Sequence, residues 1–246
     1  MQIYGMNPVL EALKAGTVSE VIVQERADGN GAGGRRLRDV IALAGRLGVP
    51  VRFADRASLD RLARGGVHQG VAASVRAPEA WTPTALAGAA QGAPLIVVLD
   101  GIEDPHNVGA ILRTVDAAGA TGVVRQTRRA APLTGAVAKA SAGAVAHVRV
   151  AEVTNIARAV EELKAAGVWT VGLAAGAPTR YDQVDFRLST AVVLGAEGSG
   201  LRRLVRERCD LVAGIPLTGH VGSLNVSVAA GVVLFEAARQ RRLVTP

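Results

Sequence analysis

LIVVLDGIEDPHNVGAILRT, Leu95 to Thr114, decides the fold of most of this chain. An apolar run ends in an aspartate, a short polar turn follows, and Pro105 and Asn107 suit the start of a helix running near Val108 to Ala118. Downstream the same grammar repeats. The strand-like TGVV, VAHVRV, VWTVGLA, TAVVLG and LVAGIPL alternate with helices near Thr134 to Ala142, near Ile156 to Ala166, from Leu201 and from Leu224. Such alternation predicts an α/β domain whose mostly parallel sheet is covered on both faces. No period of roughly 20 to 50 residues repeats, which excludes a solenoid.

Upstream, VSEVIVQ ending at Gln24 and VPVRFAD ending at Asp55 flank a helix marked by Leu37, Ile41, Ala44 and Leu47. They predict a small α/β domain over residues 1–75. Between the two, RAPEAWTPTALAGAAQGAP carries Pro78, Pro83 and Pro94 and no sustained period, so residues 76–94 are expected to be a linker and 95–246 the second domain.

The 246 residues suffice for a real core, which must be aliphatic, because 49% of them are hydrophobic and only 3% aromatic. A charged fraction of 20% beside that core excludes a disordered chain. No apolar run approaches the ~18 residues of a membrane span. MQIYGMNPVLEALKAG does not resemble a secretory signal either, so the chain is expected to stay in the cytosol, away from membranes. Cys209 has no second cysteine to pair with, and His68, His106, His147 and His220 lack metal-ligand spacing, so no metal is expected. The net charge of +7 favours a polyanionic partner, nucleic acid first. Lys14, Lys139 and Lys164 are the only lysines, and such arginine richness equally fits a coding bias that has nothing to do with phosphate.

Gly29 to Gly34, GNGAGG, satisfies the dinucleotide-binding string G-x-G-x-x-G, with Asp55 about 20 residues on. The first glycine of that fingerprint must turn the chain at the strand end. Here Glu25, Arg26, Ala27 and Asp28 intervene, so the stretch is expected to be a surface loop.

Three later segments carry chemistry. DPHNVGAILRT, Asp104 to Thr114, follows a strand at the carboxyl edge of the sheet, where open α/β folds bind ligands, and it offers Asn107 and Arg113. VVLGAEGSGL, Val192 to Leu201, runs from a buried strand into Gly195, Gly198 and Gly200, ahead of Arg202, Arg203, Arg206 and Arg208. It lacks the lysine and hydroxyl of a phosphate-binding loop, and Glu197 suits a ligand with cationic groups. IPLTGHVGSLNVSVAAG, Ile215 to Gly231, leads through a glycine-rich turn to Ser223, Leu224, Asn225 and Ser227 at a helix start, as caps or as ligand contacts.

In order and spacing these segments resemble the signature motifs of the TrmH family of SPOUT methyltransferases, over about Leu95 to Arg242. YGMNPVLEAL and GVHQGVAA in the first 75 residues are similar to the ribosomal-protein-like RNA-binding domain found in the subgroup that modifies large-subunit rRNA. One departure is Ala146, where family members often carry a glutamate after the segment Ser141 to Val145.

The resemblance implies an α/β-knot (trefoil) catalytic domain that transfers a methyl group from S-adenosylmethionine to a ribose 2′-hydroxyl, of a guanosine in 23S rRNA or alternatively of tRNA. A non-catalytic rRNA-binding relative is the rival class. It further implies Asn107, Arg113, Glu197, Ser223 and Asn225 as catalytic residues, and Gly195, Glu197, Gly200, Ile215, Leu217, Ser223 and Leu224 as the cofactor site. A homodimer is implied too. Leu224, Val228, Val232 and Phe235 form an apolar stripe that serves either a partner subunit or the chain's own core. Arg35, Arg36 and Arg38 crowd a helix start where the helix dipole is already positive, which favours a role in gripping RNA, alongside Arg113.

Overall fold

The structure, a computed structural model, describes residues 2–25, 32–76, 80–128, 130–133 and 135–242. They form two compact units, one of residues 1–78 with 132–147 and one of residues 79–131 with 148–246. The first unit contains β1 (Gln2–Tyr4), α1 (Met6–Lys14), β2 (Val18–Gln24), α2 (Ala32–Arg46), β3 (Val51–Ala54), α3 (Arg56–Ala63) and β4 (Val71–Val75). Its sheet has the order β1-β4-β2-β3, with β2 and β3 parallel and the other pairs antiparallel. Strand alternation explains why VSEVIVQ is apolar at consecutive positions. Val21 and Val23 pack with Val9, Leu13, Leu37 and Val40 of α1 and α2, whereas Ile22 packs with Leu59 of α3.

YGMNPV and GVHQG meet in this unit. The Gly5 amide donates to the Val71 carbonyl at 3.1 Å and the Met6 amide to Gln69 Oε1 at 3.0 Å. His68 is buried, accepting at Nδ1 from the Gly70 amide at 3.0 Å while Nε2 lies 3.1 Å from Asp60 Oδ1. These motif residues therefore fasten the start of α1 to the start of β4.

Residues 132–147, which the sequence alone places in the second domain, belong to the first unit. Their helix, α6, spans only Ala136–Ala140, with Ala138 in the first unit's core, and one 3-10 turn follows at Ala144–Ala146. The expected helix to Ala142 is cut short because Ala142 and Gly143 take φ of +53° and +96°, outside the right-handed helix, and the expected strand VAHVRV is cut short because its first residues form the 3-10 turn, so that β7 begins only at Val150. Thr134 lies outside the described residues, as do Arg26 to Gly31 of the glycine-rich stretch.

The second unit contains α4 (Pro83–Gly88), β5 (Leu95–Asp100), α5 (Pro105–Ala117), β6 (Gly122–Gln126), β7 (Val150–Val153), α7 (Ile156–Ala165), β8 (Trp169–Leu173), β9 (Thr179–Arg180), β10 (Thr190–Gly195), α8 (Arg203–Arg208), β11 (Leu211–Gly214) and α9 (Val226–Arg242). α4 falls inside the expected linker. Thr82 caps it by accepting from the Ala85 amide at 3.1 Å, Pro83 starts it, and Leu86 is buried against Ile96 and Ile156. Six residues are too few to display a helical period.

The seven strands run in the order β7-β6-β5-β10-β8-β11-β9, and every pair is parallel. All six residues of β5 are buried. Ile96 and Val98 pack toward α4 and α7, while Val97 and Leu99 alternate to the opposite face, which α5 and α9 cover. Two wings diverge from β5 and β10, so the loops after these neighbours part and leave a crevice at their carboxyl ends. Burial pushes the Cys209 thiol up to about 11. Among the described residues no helix is long and apolar enough to cross a membrane.

Candidate active site

At the carboxyl end of β5, Asp104 accepts from the Asn107 amide at 2.9 Å and starts α5, placing Asn107 on its first turn. At the carboxyl end of β10 the chain folds into a tight hairpin, in which Ala196 and Gly200 exchange backbone hydrogen bonds of 3.1 and 2.8 Å. Gly198 and Gly200 take φ of +79° and +66°, a region that glycine enters without a side-chain penalty. Gly195 lies directly against the backbone of Gly200 and Leu201, where any Cβ would overlap. The hairpin holds Glu197 at its tip.

Glu197 Oε2 accepts from Asn107 Nδ2 at 3.2 Å, and Asn107 Oδ1 accepts from Asn225 Nδ2 at 2.9 Å. Asn225 Oδ1 accepts in turn from the Ser227 amide and hydroxyl, at 2.9 and 2.6 Å. One hydrogen-bonded chain thus joins all three motif segments. Its direction is set: Asn107 gives its NH₂ to the carboxylate and its carbonyl to Asn225.

Beside this chain a cavity of about 200 Å³ opens along the ends of β8, β10 and β11. Gly195, Glu197, Gly200, Ile215, Leu217, Ser223 and Leu224, the whole expected cofactor set, line it. A second cavity of about 410 Å³ adjoins it across Gly214, Ile215 and Leu217 and carries Arg180 and His220 in its wall. No lysine or arginine lines the first cavity, which offers instead glycine backbone, aliphatic side chains and one carboxylate. That donor set fits a ligand with an adenine ring and a cationic centre better than a phosphate.

Ser223 reaches the cavity wall but enters no hydrogen bond of the chain just described, and Arg113 stands exposed on α5, outside both. Arg35, Arg36 and Arg38 are exposed on the first turns of α2 in the other unit. Among the described residues no group of three or more histidines, cysteines or acidic residues could hold a metal ion.

Two features escape the sequence. Asp100 is fully buried at the end of β5, where its carboxylate takes the Arg202 amide at 2.8 Å and the Arg202 guanidinium at 2.6 and 2.5 Å. A carboxylate closing an otherwise apolar strand was the available signal. Arg125 is buried on β6, donating to the Ala131 carbonyl at 2.6 Å, and burial lowers its pKa against the opposing pull of Glu152. Nothing in an arginine-rich sequence singles it out.

A parallel α/β unit with a ligand cleft along the carboxyl ends of β8, β10 and β11, together with a small α/β unit that bears an exposed basic helix, is the architecture of a two-domain enzyme for a nucleic-acid substrate. The chain belongs to the SpoU rRNA methylase family, whose model matches residues 94–235, and the model for RNA 2′-O ribose methyltransferase substrate binding matches residues 2–81. It is 44% identical to the 23S rRNA (guanosine-2′-O-)-methyltransferase RlmB of Xanthomonas campestris, over 97% of this chain and 96% of that protein. It is 42% identical to the putative TrmH family tRNA/rRNA methyltransferase YacO of Bacillus subtilis, over 97% and 95%. The crystal structure of the SpoU methyltransferase AviRb from Streptomyces viridochromogenes, in complex with its cofactor AdoMet, has the same fold, with a TM-score of 0.79 at 24% identity over 99% of this chain and 91% of that one.

Proposed function

We propose that this chain transfers the methyl group of S-adenosylmethionine to a ribose 2′-hydroxyl of RNA, that of a guanosine in 23S rRNA. The observation that carries the proposal is the Glu197–Asn107–Asn225 chain at the edge of a cleft that has no phosphate grip. Bound there, the cofactor would supply an electrophilic sulfonium methyl. Ile215, Leu217 and Leu224 would flank its adenine, and the backbone around Gly195 and Gly200 would read the ring edge.

A ribose hydroxyl is a weak nucleophile, so the site must align it and let its proton go. Arg113, exposed on α5, would hold the adjacent phosphate and the hydroxyl oxygen. A guanidinium holds its own protons too firmly to act as a base, so its work is alignment, with the hydroxyl proton lost late to solvent water. Asn107, Glu197, Ser223 and Asn225 would orient the ribose and Arg113.

The outer face of α9 supports a proposal for assembly. Val228 and Phe235 are half exposed and Leu224 just before the helix is 39% exposed, while Ala230, Val233, Leu234 and Ala237 face the core. The outer stripe would pair with a second copy, letting Arg113 of one subunit complete the partner's site, in a cytoplasmic homodimer. The resemblance further carries a trefoil knot through the Gly195, Ile215 and Leu224 loops.

The test is methyl transfer from labelled S-adenosylmethionine to 23S rRNA and tRNA transcripts, with the modified nucleotide mapped by mass spectrometry. We expect one 2′-O-methylguanosine in the 23S transcript. Arg113→Ala should abolish turnover and leave cofactor affinity within about two-fold, the mark of a group used mainly in the transition state. Transfer to tRNA alone would move the substrate, and transfer to neither would defeat the proposal.

A further inference from the structure

We infer that Asp100 and Arg202 are positioning residues for methyl transfer, a buried clamp that closes the neck of the Gly195–Leu201 loop and so fixes where Glu197 meets Asn107. The inference rests on the proposed role of Glu197. The loop leaves the sheet at Gly195, whose strand neighbour across β5 is Asp100, and it returns at Arg202, whose amide and guanidinium bind that same carboxylate. Both ends of the loop are thereby referred to one side chain.

Asp100 is 0% exposed, and taking a carboxylate wholly out of water is costly unless it is paired and hydrogen-bonded. Arg202 supplies that pairing across 102 positions of sequence, and a further bond from its Nη2 to Gln126 Oε1 at 3.2 Å fixes the guanidinium plane against β6. Between the ends little else holds the loop. Its tip has two glycines at positive φ, a pair of backbone bonds between Ala196 and Gly200, one from the Ser199 amide to the Glu197 carbonyl at 3.0 Å, and Leu201 packed over Gly172.

Asp100 also ends the strand from which α5 departs, so the clamp ties the hairpin carrying Glu197 to the base of the helix carrying Asn107. A single Glu197–Asn107 bond of 3.2 Å, between an exposed hairpin tip and a half-buried residue on the first turn of α5, has little rigidity of its own. Its geometry is inherited from the buried pair beneath it. Because Arg202 is half exposed, replacing it leaves no cavity in the core, and the cost falls on Asp100, which loses its cation.

The experiment is a double-mutant cycle on the full-length protein, crossing Arg202→Met with Glu197→Gln and read as the single-turnover rate at saturating S-adenosylmethionine and 23S transcript. Arg202→Met should slow transfer roughly ten- to hundred-fold, the cost of slight misplacement at a reacting centre. The double variant should be no slower than the slower single variant, because both act through one geometry. Arg202→Lys should recover part of the loss. In the cofactor-free protein, hydrogen exchange at the Ala196 and Gly200 amides should quicken in Arg202→Met and in Asp100→Asn, which serves if the methionine variant folds poorly. Additive rate losses, or unchanged exchange in both variants, would overturn the clamp while leaving the role of Glu197 standing. A Glu197→Gln protein at the parent rate would remove both.

Discussion

Gly195 shows how little tolerance the site has at single positions. An alanine there would drive its methyl into the Gly200 carbonyl carbon and the Leu201 nitrogen, and backbone atoms cannot step aside as a flexible side chain can. Gly195→Ala should therefore open the hairpin, weaken S-adenosylmethionine binding more than ten-fold, and cost about 1–3 kcal/mol of stability from overpacking. Calorimetric titration and thermal melting check the two halves separately. The glycine spacing that singles out Gly195, Gly198 and Gly200 was legible because backbone demands select one residue type. Asn107, Glu197 and Asn225 were legible through the ordered motifs, but not the bonds among them. Asp100 was missed because a terminal aspartate on an apolar strand also reads as the strand's polar end. In the sequence Arg202 reads with its neighbours as one of a basic row, although its guanidinium turns inward.

Among the elements, the buried parallel strands were the easiest to foresee, since β5, β8 and β10 are apolar along their covered lengths apart from Asp100, Thr170 and Thr190. Short elements were the hardest. α4 has one cap and one buried leucine to announce it, and α6 ends where two residues adopt left-handed backbone. α2 carries the sharpest element-level prediction. Its first turn has no acidic residue, and Arg35, Arg36 and Arg38 stand exposed where the backbone dipole repels cations. Replacing all three with glutamine should flatten the salt dependence of RNA binding by up to roughly 0.7 log units for each single-strand phosphate that the helix no longer neutralises. Cofactor affinity should stay the same. An unchanged salt slope in filter binding would assign the cluster to solvent.

For the whole molecule, α9 illustrates why an apolar stripe alone cannot say whom it faces. Two apolar faces share the helix, and only burial separates the core side from the half-exposed side of Val228 and Phe235. If the proposed homodimer forms through this face, Phe235→Arg should leave the fold intact and shift the light-scattering mass from dimer to monomer, with turnover falling in step if Arg113 acts across the interface. A mass that stays dimeric would place the interface elsewhere. The allocation of residues 132–147 to the first unit has a consequence in time as well as in space. During synthesis that unit lacks Ala138 and the segment around it until about 70 residues beyond Pro78 have been made, an interval of roughly 4 to 14 s at ~5–20 residues per second. Its core therefore closes only after β5, α5 and β6 have left the ribosome, so the amino-terminal unit is begun first and finished late.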